Sequence, residues 1–193
     1  MSLLNGFASP VAQAQQTFRL ILKALSEPGV TVRLTDAPQW PPLDAATTAT
    51  LLTLADGETP LLLSPALSSE QVLTNLRFHT GAPQASSAAD AIFAVTDHHL
   101  QPADLQTLPH GDELAPEQGA TLIVQLADLQ SGAPLRLSGP GIAHSRTIAP
   151  PLPEALRHYL LARPQPFPLG LDVILTCGDA LLAIPRTTHL EEC

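Results

Sequence analysis

Three short stretches of this sequence set an arginine among hydroxyl or imidazole neighbours: Arg77-Phe78-His79-Thr80, His144-Ser145-Arg146-Thr147 and Arg186-Thr187-Thr188-His189. A guanidinium can grip two oxygens of a phosphate or carboxylate at once. Each such charge-assisted bond contributes roughly 1.5–3 kcal/mol net. Arg77, His79, Arg146, Arg186, Thr187, Thr188 and His189 are therefore the candidate anion- or substrate-binding residues. The plain alternative is that each arginine pairs with one of the 18 acidic residues or with a partner's surface.

Other chemistries find less support. Lys23 is the only lysine and no glycine-rich loop precedes it, which excludes a P-loop. Its place four residues after Arg19, inside a helical pattern, fits a solvated helix face better than a Schiff base with pyridoxal phosphate. Gly139-Pro140-Gly141 lacks the third glycine of a dinucleotide fingerprint and precedes no clear helix. Ser145 stands in no G-x-S-x-G elbow. Asp97-His98-His99 could offer imidazoles to a metal, but successive strand residues point to opposite faces. An exposed strand end is the expected role there, and no metal is expected. Cys177 and Cys193 form no C-x-x-C pair. No catalytic residue can be assigned.

The elements that must position these residues follow from apolar spacing. Ser9-Pro10 opens a helix through Leu25, stopped by Glu27-Pro28-Gly29. "VTVRL" (30–34) alternates like a strand. A second helix pattern covers 45–55 with Gly57 as its stop, and "TPLLLS" (59–64) is a short buried strand. Ser68-x-x-Gln71 has the form of a capping box for a third helix through Phe78. "AIFAVTD" (91–97) is strand-like, and 98–118 reads as loop with a short helix after Pro102. The segments 120–129 and 134–139 look like an antiparallel hairpin around Ser131-Gly132. A last helix covers 152–163, and 172–177 with 180–184 close the chain as a hairpin around Gly178-Asp179. Pro185 ends that strand because it cannot donate to a ladder, so residues 186–189 are expected at the sheet's rim. The 20 prolines punctuate the joints.

This order predicts one α/β domain over residues 1–193, a three-layer arrangement of a mixed sheet flanked by helices. With 45% hydrophobic residues the chain has material for a core without disulfides. A net charge of -9 disfavours nucleic acid. Ala12-Gln13-Ala14 imitates a signal-peptidase site but lacks the positive and apolar stretches before it. No apolar run is long enough to span a membrane. A soluble protein of the reducing cytoplasm is expected.

Taken together, "AQQTFRLILKALSEPG", "LLTLADGETP", "LRFHTGAP", "FAVTD", "LRLSGPGI" and "PFPLGLDVILTCGDALLAIPRTTH" resemble the PhnH family of the bacterial carbon–phosphorus lyase system, from about residue 7 to 193. The resemblance implies a fold like a trimmed pyridoxal-phosphate transferase domain without the cofactor, and a homodimer in isolation. It implies a non-autonomous subunit acting with PhnG, PhnI and PhnL, in a cytoplasmic core complex that also contains PhnJ. The implied step is displacement of adenine from ATP by a phosphonate, giving a ribose 1-phosphonate 5-triphosphate. ATP is then a substrate of the complex and not a cofactor of this subunit. A purely structural assembly module is the alternative. The family supplies no defined catalytic residues to carry over.

Overall fold

The computed structural model describes residues 3–193. Four apolar segments become neighbouring parallel strands: β2 (Leu61–Leu63), β3 (Phe93–Thr96), β4 (Thr121–Gln125) and β7 (Asp172–Cys177). Near-continuous hydrophobic runs suit strands that are covered on both faces. Antiparallel β8 (Ala180–Ile184) and β1 (Val32–Arg33) extend the sheet to the order β1-β8-β7-β4-β3-β2. The expected mixed sheet is present.

Successive strand side chains feed opposite cores. Phe93, Val95, Ile123, Ile174 and Ala183 pack with α1 (Pro10–Ser26), α2 (Ala45–Leu54) and α3 (Glu70–Thr80). Ala94, Leu122, Val124, Val173, Leu175 and Ile184 face α4 (Pro102–Thr107), α5 (Glu154–Ala162) and a second sheet. Each fully buried Leu, Ile or Val stabilises the fold by roughly 1.5–3 kcal/mol. Helices therefore cover both sides of the sheet.

The second sheet corrects one expectation. Residues 120–129 and 134–139 do not form a hairpin. Strand β4 lies in the middle of the main sheet, whereas β5 (Leu135–Ser138) is the centre of a three-stranded antiparallel sheet ordered β6-β5-β9. The reason is burial: β4 is covered on both faces, while β5 buries Leu135 and Leu137 and exposes Arg136 between them. Its partners β6 (Arg146–Ile148) and β9 (His189–Glu192) are short and polar.

Local signals elsewhere held with small shifts. Gly178 and Asp179 form the two-residue turn between β7 and β8, with Gly178 at φ +56°. Helix α3 starts one residue later than the capping-box reading, because Ser69 Oγ accepts the Val72 N–H. Gly81 closes that helix in the left-handed conformation. Gly141 also has a positive φ, +81°, and its α-carbon lies close against the Ser26 carbonyl at the end of α1. No helix among the described residues is long and apolar enough to cross a membrane.

Candidate functional site

The three arginine stretches meet different fates. Arg186 follows β8 in a turn whose backbone N–H bonds Asp172 at 2.9 Å. Its Nε and Nη2 donate to the other Asp172 oxygen at 3.1 and 2.7 Å, and Nη1 donates to the Pro116 and Pro168 carbonyls. Only 13% of its side chain is exposed. The guanidinium is already occupied in tying two loops to β7.

Around it, Thr188 is buried, its Oγ1 without a hydrogen-bond partner among the described residues, and its carbonyl accepts from Arg163 Nη2. Thr187 is half-buried, its carbonyl against Gly139. His189 is exposed and pairs with Ser138 as the first residue of β9. Arg146 lies in β6 and donates from Nη1 to the Glu27 and Pro28 carbonyls, bracing the end of α1.

Arg77 differs. It is exposed in the last turn of α3, with its guanidinium making no ion pair or hydrogen bond among the described residues. It edges a hollow of about 450 Å³ that also touches Thr74, Gln84 and Leu61 of β2. Its neighbour His79 bonds the Leu4 carbonyl at 2.9 Å and stacks near Trp40, so it pins the N-terminal segment. Arg77 sits by the β2 edge of the sheet. Arg146 braces the loop that bonds β8 through Gly29. Four strand spacings separate β8 from β2, about 20 Å at ~4.8 Å each. The arginines therefore do not converge on one small anion.

A larger groove, about 650 Å³, opens between α4 and α5. Glu154 and His158 stand one helical turn apart on α5 and share a face. His98, His110, Tyr159 and the amides of Gln101, Gln106 and Gln165 complete its polar lining. The Oε1 of Gln165 is buried without a hydrogen-bond partner among the described residues. Among the described residues, no lysine or arginine lines the groove, nor any serine, threonine or cysteine. Sequence reading missed it because its walls come from separate helices with no motif; the Glu154/His158 spacing was the one available signal.

Tyr159 and His110 hold the groove's floor. The Tyr159 hydroxyl accepts the Leu171 N–H at 3.0 Å, and His110 Nε2 lies 3.0 Å from the Leu105 carbonyl. Burial pushes the Tyr159 hydroxyl's pKa up, against the opposing Leu171 hydrogen bond. Burial likewise pushes His110 below its ordinary 6.5, with the Arg186 charge adding to the effect and the Leu105 carbonyl opposing it. A folded-state value below the unfolded one means the unfolded chain takes up the proton first as pH falls. Stability is therefore expected to decline as pH drops below about 7 toward the lowered value, and His110→Gln should flatten that decline. Urea midpoints between about pH 7.5 and 5.5 check it.

Asp97, His98 and His99 also depart from expectation. Strand β3 stops at Thr96, so the two histidines occupy a turn and their rings lie together, 3.8 Å between centroids, instead of on opposite faces. Asp97 accepts the His99 N–H at 2.9 Å, and both its oxygens lie 3.1 Å from His99 Nδ1. Burial raises the Asp97 pKa, but the His99 backbone and ring contacts outweigh it, and the carboxyl is held below its usual value.

The fold is a mixed sheet covered by helices on both faces, with a groove of about 650 Å³ that no lysine, arginine, serine, threonine or cysteine lines among the described residues. The chain belongs to the PhnH family of bacterial phosphonate metabolism proteins, whose pattern matches residues 5–191. It is 37% identical over 189 residues to the alpha-D-ribose 1-methylphosphonate 5-triphosphate synthase subunit PhnH of Rhizobium meliloti (strain 1021), covering 97% of this chain and 94% of that protein. It is 36% identical over 188 residues to the protein of Stutzerimonas stutzeri named "Putative C-P lyase subunit protein HtxG", covering 93% and 87% of the two chains.

Proposed function

We propose that this chain is a non-autonomous subunit of a carbon–phosphorus lyase core complex, needed where a phosphonate displaces adenine from ATP to give ribose 1-phosphonate 5-triphosphate. The observation that carries the reading is the end-to-end relationship to a protein named as a subunit of that synthase. A groove that no lysine, arginine, serine, threonine or cysteine lines among the described residues agrees with a part that depends on others for chemistry. The same reading gives it PhnG, PhnI, PhnJ and PhnL as partners, a cytoplasmic setting and a homodimeric form when isolated. It also holds the fold to be a pyridoxal-transferase type that has shed its cofactor. Lys23, exposed on α1 and paired with Glu27 at 2.6 Å, is far better placed for solvent than for an aldehyde.

A second reading, an assembly module without substrate contacts, is favoured by the internal use of Arg146 and Arg186. Arg77 beside the exposed Phe78 would then be an interface pair, since both residue types are enriched where proteins meet.

One experiment addresses both. Adenine release from ATP plus methylphosphonate should be absent with this chain alone and appear with the partner subunits; turnover by the isolated chain would overturn the non-autonomous reading. In the assembled complex, Arg77→Ala should lower the rate at least ~10-fold if this guanidinium meets substrate, the loss of one charge-assisted contact. Loss of co-purification with unchanged specific activity would favour the assembly reading instead.

A further inference from the structure

We propose that Asp97, His98 and His99 form a binding site for one divalent transition-metal ion at the mouth of the α4/α5 groove. One donor atom from each residue lies within 4.8 Å of the other two. Two imidazoles and a carboxylate are the donor set of zinc-type ions, not of magnesium, which prefers oxygen. Around tetrahedral zinc, with bonds of about 2.1 Å, ligand atoms stand about 3.4 Å apart. Closing the remaining gap needs little. The His99 side chain is 69% exposed and can turn by giving up its ring contact with Asp97, whereas the 12%-exposed Asp97 carboxylate is held by the His99 backbone N–H.

The placement adds a second, independent argument. The cluster follows the carboxyl end of β3, in the parallel part of the sheet, where open α/β sheets gather their ligands. His98 lines the groove itself. Three protein ligands leave one tetrahedral position vacant, the arrangement that lets a bound ion take an outside oxygen. The groove otherwise contributes one carboxylate and no cationic side chain with a permanent charge. An ion here would give it the positive charge that an anionic ligand requires. The nitrogen that takes the metal must be unprotonated, so each neutral imidazole would coordinate through one ring nitrogen and keep its proton on the other. This assignment does not depend on membership of any complex.

Zinc chloride titrated calorimetrically into the untagged chain, carrying Cys193→Ala so that the exposed thiol adds nothing, tests it. One ion per chain should bind with micromolar affinity, weakening at least ~10-fold in His98→Ala and in His99→Ala and by about 10- to 100-fold in Asp97→Asn. The two histidines are exposed and can be replaced without touching the core, and circular dichroism checks the fold of all three variants. Parental affinity in the folded His98→Ala/His99→Ala double variant would overturn the proposal, as would the lack of saturable binding up to about 1 mM.

Discussion

Replacing Arg186 by alanine is expected to remove about 3 kcal/mol of folding stability. Breaking a buried pair costs 3–5 kcal/mol because the surviving charge is stranded. The lower end applies here because Arg186 and Asp172 keep 13% and 27% of their side chains exposed. Two further bonds, to Pro116 and Pro168, would be lost with the same guanidinium. At 2–4 °C per kcal/mol for a chain this size, the melting temperature should drop by about 6–12 °C. Arg186→Lys should recover part of that, since an ammonium keeps the charge but not the fork. A urea-derived loss below about 1 kcal/mol would mean that the pair is replaceable and that Arg186 is kept for some other purpose. The distinction matters for function. A weakened complex containing Arg186→Ala would report a damaged fold and not a lost substrate contact, which makes Arg77 the better probe.

Gly141→Ala should be comparably severe, again about 3 kcal/mol. A side chain at a positive φ costs roughly 1–2 kcal/mol, and forcing atoms into a filled site adds about 1–3 kcal/mol. At φ +81° a new Cβ would overlap the Ser26 carbonyl, which belongs to rigid backbone and cannot swing away. Gly178→Ala is the matched control. Its φ is +56°, yet nothing lies within 4 Å of the added carbon, so only the conformational cost of about 1–2 kcal/mol should appear. Equal losses for the two variants, measured by urea unfolding, would contradict the close approach between the Gly141 turn and α1.

What could be read in advance depended on how local the signal was. The turn at Gly178-Asp179 was legible because two residues, flanked by apolar runs, determine it. The main helices were legible from their spacing and stops. The pairing of β4 was not, because a strand covered on both faces carries no mark of which neighbours it takes. Strand β9 was missed since His189, Glu191 and Glu192 are polar and only Leu190 points inward; it is a strand because β5 is there to pair with. At the candidate sites, residue types were readable and their partners were not. Arg186 looked like an anion ligand until Asp172, fourteen positions earlier, supplied its carboxylate. Asp97-His98-His99 was judged by strand geometry, and the chain had already left the strand.

The placement of β8 and β9 bears on how this protein is born. Strand β1 has no neighbour in the sheet but β8, and Arg33 clasps Asp179 across 146 positions of sequence. The small sheet likewise waits for residues 189–192, whose Glu192 then reaches Arg157 on α5. A ribosome that has made only the first 170 residues therefore holds a chain with both sheets unfinished and much of its greasy interior open, and such distant pairings close slowly. Maturation of this domain should be a late event in synthesis, with a chaperone's help most valuable just before the final strands emerge.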